Sequence, residues 1–386
     1  MKVLHLYANW KWTGPAEPAV NLAAALRDRG LSVEFACGRP VEGLENEIEG
    51  ALAERDLRAT PGFRLGKHRN PILDALDRRA MRRLLGTMRP DLLHCHLPND
   101  HRIGLRASAG LKERPRVVRS LHDGEPPKGD KDVRSLLGSG ADAVLAVSRA
   151  VADALPGRVG VPAEKVFHVE GAVDTRRFSP APSLPRLAAD YGIRKDDFVV
   201  GVVARMQRHR RFEVFFDAVA ALAAEVPSLK VLLVGRGTWM DEVAVKPAAR
   251  KELAGKVIFT GYRRGEEYAD TLRCMSVKAF LVPGSDGSCR AVREALACGI
   301  PVVSTRRGIL PEIVSDGETG VLVEETAESF GAALGRLARD EDLRRRLGRT
   351  AGEAARARFS LPAQAERVES IYRWVLGKGP RPPSSA

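Results

Sequence analysis

Two successive series of short apolar runs constrain this chain more than any other feature. VLHLYA, SVEFACG, DLLHCH, VVRSLHD and AVLAVS make the first series; FVVGVVAR, KVLLVG, VIFTG, VKAFLVPG and PVVST make the second. Runs apolar on both alternating faces belong to strands buried on both sides, the condition of a parallel sheet covered by helices. The intervening segments agree. TGPAEPAVNLAAALRDRG has helical periodicity and stops at Gly30, and FEVFFDAVAALAAEV is a second clear helix. The fold class is therefore α/β, with two Rossmann-like doubly wound domains.

With 386 residues, the chain is too long for one ordinary core and suits two. The Pro-rich passage DTRRFSPAPSLPRL, near residues 174–187, interrupts the periodicity and reads as a linker. The expected division is an N-terminal Rossmann-like domain over 1–180 and a C-terminal Rossmann-like domain over 181–360. A helix over 361–378 is expected to pack back on the first domain, and the Pro/Ser tail 379–386 to be disordered. Two such lobes are expected to face a central cleft at the carboxyl ends of their strands, where open α/β sheets bind ligands.

Composition narrows the partners. The formal net charge of +13 favours anionic ligands, yet 49 acidic residues are interspersed and the basic residues lack interleaved aromatics, which argues against nucleic acid. Five cysteines, with no Cys-x-x-Cys pair, suggest a reducing compartment and no structural zinc. Neither a secretory signal nor an apolar run of membrane-spanning length is apparent, so a cytoplasmic protein is expected.

The densest chemistry lies in SDGSCRAVREALACGIPVVST, which reads as loop, helix, Gly stop and buried strand. Asp286 and Glu294 are separated by a little over two helical turns, so that carboxylates at the mouth and inside a helix would share a side. Between them, the backbone N–H groups of Gly287, Ser288 and Cys289 would be open donors of a helix start, suited to an anion. Carboxylates that accept hydroxyl protons around a bound diphosphate fit a nucleotide sugar. Arg205 closes the strand FVVGVVAR and Arg210 follows five residues on. Two cations there could clamp a diphosphate and stabilise charge on a departing group. Arg290 could add a further charge.

Four stretches in order resemble glycosyltransferase family 4, with its two-lobed GT-B fold: TGPAEPAVNLAAALRDRGLSVEFA, GAVDTRRFSP, VARMQRHRR, and SDGSCRAVREALACGIPVVST followed by LPEIVSDGETGVLV. The resemblance covers nearly the whole chain. It implies a retaining transfer from a nucleoside-diphosphate sugar, most often UDP-linked, with no metal and no cofactor. It makes Glu294 the ribose contact, Asp286 the sugar contact where the family has Glu, Arg205 and Arg210 the phosphate clamp, and His122 a lining residue of the sugar site. Gly14 would let the backbone of the first loop approach phosphate. Pro15 and Arg211 stand where the family has glycine, and Arg211 suggests a wider loop or a slipped register. These departures, with Asp286, motivate an alternative reading as a catalytically silent binding or scaffold subunit; a GT-B epimerase is a further one. Donor hydrolysis separates transferase from silent subunit.

Metal-ligand patterns are weak. Asp130-Lys-Asp132 and Asp340-Glu-Asp342 lie in loop or helix-start contexts. His94 and His96 share a strand face but have no third ligand spaced with them, and read as structural. Charge is organised over residues 64–89, where Ile72, Leu76, Leu84 and Leu85 mark one face of a helix and Arg78, Arg79, Arg82 and Arg83 the other, offset only by Asp74 and Asp77. That segment suggests peripheral contact with anionic lipid on the inner face of the membrane, and a glycan or lipid-linked acceptor in cell-envelope polysaccharide or lipopolysaccharide assembly.

Overall fold

The computed structural model describes the whole chain except Ser285, Asp286, Ser385 and Ala386. Its residues form two compact units. The first contains Met1–Gly171, Gly287 and Ser288, and the chain from Leu361 onward, the second Ala172–Gly284 and Cys289–Ser360. The break at Gly171 precedes the Pro-rich stretch because that stretch is already tied to the second unit. Val173 bridges to Ser360, and Phe178 lies in the second unit's core.

Each unit holds a six-stranded, all-parallel sheet. The first comprises β1 (Lys2–Tyr7), β2 (Ser32–Cys37), β3 (Leu92–Cys95), β4 (Arg116–Leu121), β5 (Ala143–Ala146) and β6 (Val166–His168), in the order β2-β1-β3-β4-β5-β6. The second comprises β7 (Phe198–Val203), β8 (Leu229–Val234), β9 (Val257–Gly261), β10 (Val277–Phe280), β11 (Val302–Thr305) and β12 (Gly320–Val323), in the order β12-β11-β10-β7-β8-β9. The sequence pattern shows five strands per sheet. The sixth in each, β6 and β12, is an edge strand, of three residues in β6 and of four in β12, where GVLV directly follows the turn-forming SDGET.

Both sheets reverse direction once. Strand order departs outward from β1/β3 in the first and from β7/β10 in the second. Such switch points open a crevice outside the carboxyl edge because the loops on either side run to opposite faces.

The helix Leu361–Val375 belongs to the first unit. Ala365, Val368, Ile371 and Tyr372 are fully buried with Val3, Leu26, Leu92 and Val118. Each large side chain so buried contributes roughly 1.5–3 kcal/mol. An Arg29–Glu369 ion pair at 2.8 Å and a hydrogen bond from Gln364 to the Glu170 carbonyl at 2.7 Å complete the attachment. Beyond it, the expected disorder gives way to contact over 379–384. Arg381 lies over the Phe167 ring at 4.9 Å and donates to the Glu164 carbonyl, Pro382 is buried, and His168 N–H donates to the Ser384 carbonyl at 2.8 Å.

The basic helix spans Pro71–Met88, with Asn70 as its cap. Its inward face differs from the sequence expectation. Asp77, Met81 and Leu85 are buried, while Ile72 and Leu76 are 75% and 56% exposed. Asp77 turns inward because it accepts hydrogen bonds from the N–H groups of Arg64 and Leu65, each at 2.8 Å. The outward face thereby loses a compensating carboxylate and keeps Arg78, Arg79, Arg82 and Arg83. No helix among the described residues is long and apolar enough to cross a membrane.

Candidate functional site

In the second unit, the loops after β7 and β10 flank the switch point and carry most of the residues singled out in sequence. Arg205 lies two residues past β7 and is exposed. The Ala204–Met206 stretch is pressed against the loop after β8. Gly235 has φ +141°, and a Cβ there would fall 2.1 Å from the Ala204 carbonyl oxygen, so only glycine fits. Arg210, at the end of a short 3-10 turn, donates to the Val282 carbonyl at 2.6 Å and reaches beneath Gly284. Side chains after β7 are thus brought against the chain that leads from β10 into the motif helix.

Arg211 stands between that turn and the helix Phe212–Glu225. It adopts the left-handed conformation, φ 57° and ψ 41°, that glycine would supply, and its guanidinium is paired with Glu213 and Glu325. The strain of a side chain there is roughly 1–2 kcal/mol.

The motif helix is Arg290–Ala297. It begins later than the sequence suggests. Cys289 is left-handed at φ 46° and cannot extend the helix, so Gly287 and Ser288 form a buried turn ahead of it. The first helical donors are Val292 and Arg293, both to the Cys289 carbonyl. Arg290 is half-buried at the helix start, its pKa pulled down by burial and partly restored by Glu294. Asp286 lies outside the described residues.

Glu294 is buried, 6% exposed, and accepts a hydrogen bond from the Tyr268 hydroxyl at 2.7 Å. Burial and the Glu294 charge push that phenol well above its usual range, so it remains a donor. Lys278 on β10 is fully buried; its ammonium has no hydrogen-bond partner among the described residues. Burial lowers its pKa to about 7, against the opposing pull of Glu294 and Cys298. Tyr268 and Lys278 carry no motif and were missed in the sequence; a lysine within the apolar run VKAFLVPG was the available signal.

In the first unit, Gly14 sits in the turn between β1 and the helix Ala16–Asp28, and Pro15 caps that helix, where a missing N–H costs nothing. His122 lies one residue past β4. Gly14 and His122 line one small cavity with Pro18, Ser120, Gly171 and Gln364. Asp100 braces the adjoining loops by accepting from the N–H groups of Ala8 at 2.9 Å, His96 at 3.1 Å and Leu97 at 2.9 Å.

His94 and His96 do gain a third imidazole. His5 on β1 stacks beside them, and ring nitrogens of the three lie within 4.8 Å of one another. Their planes decide the use. His94 and His96 stack at 4.4 Å and 14°, His5 and His96 at 5.3 Å and 18°. The ring nitrogens are already engaged, His94 with the Tyr372 hydroxyl and Ser120 Oγ, and His5 Nδ1 with His96 Nε2 at 3.0 Å, which leaves no three lone pairs converging on a common ion. The two Asp-x-Asp sequences are spent on helix caps: Asp130 accepts from Val133 N–H and Asp340 from Leu343 N–H.

Comparison with known proteins agrees with this architecture. The sequence model for glycosyltransferase family 4 matches residues 14–177, and that for glycosyl transferases group 1 matches residues 185–354. N-acetyl-alpha-D-glucosaminyl L-malate synthase of Bacillus anthracis is 28% identical over 294 residues, 74% of this chain and 75% of its own. D-inositol 3-phosphate glycosyltransferase of Kribbella flavida is 28% identical over 386 aligned residues, 92% of this chain and 89% of its own. Among solved structures, Anabaena Alr3699/HepE in complex with UDP superposes with a TM-score of 0.77 at 21% identity, covering 96% of this chain and 98% of that one. Two matched families in tandem, on two doubly wound parallel sheets, place the chain in the group 1, family 4 glycosyltransferases of GT-B fold, and it is a glycosyltransferase.

Proposed function

We propose that this enzyme transfers a sugar from a nucleoside-diphosphate sugar, UDP-linked, to an acceptor, with retention of configuration and without a metal. The observation that carries the reading is the buried Glu294 carboxylate on the motif helix, braced by Tyr268 and so preset to accept hydroxyl protons. Arg205, Arg210 and the helix start at Arg290 would meet the diphosphate charge, and Asp286 and His122 the transferred sugar. The route is attack on the face the leaving group departs from, assisted by a donor phosphate oxygen. Cation and amide stabilisation of that leaving group is the enzyme's main contribution. The relatives named N-acetyl-alpha-D-glucosaminyl L-malate synthase and D-inositol 3-phosphate glycosyltransferase support the transfer, and the like fold solved in complex with UDP is compatible with the donor.

A thermal-shift screen of nucleotide sugars tests it. At least one UDP-sugar is expected to raise the melting temperature and to be slowly hydrolysed to UDP. Failure of every nucleotide sugar to do either would overturn the proposal, and binding without turnover on any acceptor would favour the silent subunit.

We further propose that the acceptor is met at an anionic membrane surface, in envelope glycan assembly on its cytoplasmic face. Ile72 and Leu76 stand exposed beside Arg78, Arg79 and Arg83, which combines apolar insertion with attraction to anionic headgroups. Binding to phosphatidylglycerol vesicles at low salt is expected to weaken roughly a hundredfold in Arg78→Glu/Arg79→Glu/Arg83→Glu. Arg82 is left in place because it donates to the carbonyls of Ala107 and Ala109. Equal vesicle binding by the triple variant would remove this surface from the account.

A further inference from the structure

We propose that His5 and His96 are positioning residues that fix the tautomer of His122, so that His122 offers an N–H, rather than a lone pair, to an oxygen of the transferred sugar. The inference rests on the reading of His122 as a sugar contact. Its structural half stands independently.

Three imidazoles form an unbroken hydrogen-bonded chain across β1, β3 and the end of β4. His5 Nδ1 lies 3.0 Å from His96 Nε2, and His96 Nδ1 lies 3.1 Å from His122 Nε2. His5 and His96 are fully buried. Burial holds His5 and His122 at about 3, and His96 well below its usual range, with the Arg119 charge adding to the effect on His96 and His122. All three are therefore neutral near pH 7, each with one N–H and one lone pair.

A chain of neutral imidazoles must run in one sense throughout, because each ring that accepts on one nitrogen donates from the other. The two senses differ at the inner end. His5 Nε2 is buried without a partner and its ring is stacked on Phe35 at 6.0 Å. If the chain ran inward from His122, His5 Nε2 would carry an orphaned N–H. If it runs outward, that atom is a bare lone pair. Orphaned buried donors are rarer than under-satisfied acceptors, so the outward sense is preferred. His5 Nδ1–H then donates to His96, His96 Nδ1–H donates to His122 Nε2, and His122 carries its proton on Nδ1. That nitrogen has no partner among the described residues.

His94 keeps the chain in register without entering it. Its two nitrogens are engaged by the Tyr372 hydroxyl and by Ser120 Oγ at 2.7 Å, while its ring lies flat on His96. The charged groups that face the array are Arg119, from β4, and Asp100, whose carboxylate lies 3.7 Å from Arg119. Neither hydrogen-bonds a ring of the chain, so the tautomer is set by the imidazoles themselves. A neutral N–H donor persists across the neutral pH range and recognises a sugar oxygen as acceptor; a sugar lacking that oxygen loses the contact.

The test is histidine-specific nitrogen-15 NMR on the full-length protein without substrate, with signals assigned by single substitutions. Wild type is expected to show His122 protonated at Nδ1. His5→Phe keeps a ring but removes the first donor, and the His122 signal is expected to move toward the other tautomer. His5→Gln, whose amide can donate, is expected to restore it. Hydrolysis of the UDP-sugar should follow, with kcat lower by roughly tenfold in His5→Phe, KM unchanged, and recovery in His5→Gln. A wild-type His122 protonated at Nε2 overturns the proposal, as does an unchanged tautomer in His5→Phe. Stoichiometric zinc that shifts the His5, His94 and His96 signals together overturns it in favour of a metal centre. The expected tautomers with hydrolysis indifferent to His122→Ala overturn the sugar contact alone and leave the chain standing.

Discussion

Glu294→Ala is expected to weaken UDP binding and raise the KM for the nucleotide sugar by roughly a hundredfold to a thousandfold. Two charge-assisted hydrogen bonds from ribose hydroxyls would be lost together, each among the stronger kinds available to a protein. The Tyr268 hydroxyl would also lose its acceptor while buried, an unsatisfied donor that adds to the cost of the variant. Glu294→Gln, which keeps an acceptor for Tyr268 and loses the charge, should fall between. Tyr268→Phe leaves the carboxylate charged but less well held, and a loss of about tenfold is expected. Titration calorimetry with UDP and steady-state kinetics measure all three. If Glu294→Ala binds UDP as wild type does, the ribose is held elsewhere and the site assignment in the second unit is wrong.

Lys278→Met should stabilise the second unit, and the gain should depend on pH. The amine titrates at about 7 when folded and near its ordinary 10.5 when unfolded. Between those values the unfolded chain binds more protons than the folded one, so this residue's destabilisation is complete below pH 7 and vanishes above 10.5. Methionine fills similar volume without a charge. Urea unfolding is expected to show the variant more stable by about 4 kcal/mol at pH 7, and by little at pH 10. The difference between variant and wild type isolates this residue from other titrations. A gain equal at both pH values would mean that Lys278 is uncharged for another reason or paired in solution. That a destabilising group sits in the strand beside Glu294 fits a charge kept to support the carboxylate.

The sequence made the sheets legible because a parallel strand buried on both faces is an uninterrupted apolar word, and VLHLYA and FVVGVVAR are such words. β6 was not, since three residues leave no period to read, and β12 was masked by the turn-forming SDGET that runs directly into it. The motif helix and Glu294 were visible through spacing. Tyr268, 26 residues earlier, was not, because nothing local ties a helix tyrosine to that carboxylate. The histidines show the same limit. His94 and His96 announce a shared strand face, but the third member, His5, arrives through the pairing of β1 with β3, 91 residues away from its partner His96. Asp77 was assigned to the solvent face of its helix by period alone, whereas two backbone donors on a preceding loop draw it inward. Arg211 illustrates the converse: a residue type that argues against a conformation can still be held in it, at a modest cost, by two carboxylates.

The core of the first unit contains the last helix of the chain, Leu361–Val375, and His94 is hydrogen-bonded to Tyr372 within it. The N-terminal sheet therefore cannot close over its apolar face as it leaves the ribosome. It must wait, with Val3, Leu26 and Val118 lacking their final cover, while all of the second unit is synthesised. Domain-by-domain folding from the N-terminus is reversed here: the second unit can be finished first, and the histidine array is set only once Leu361–Val375 has been made.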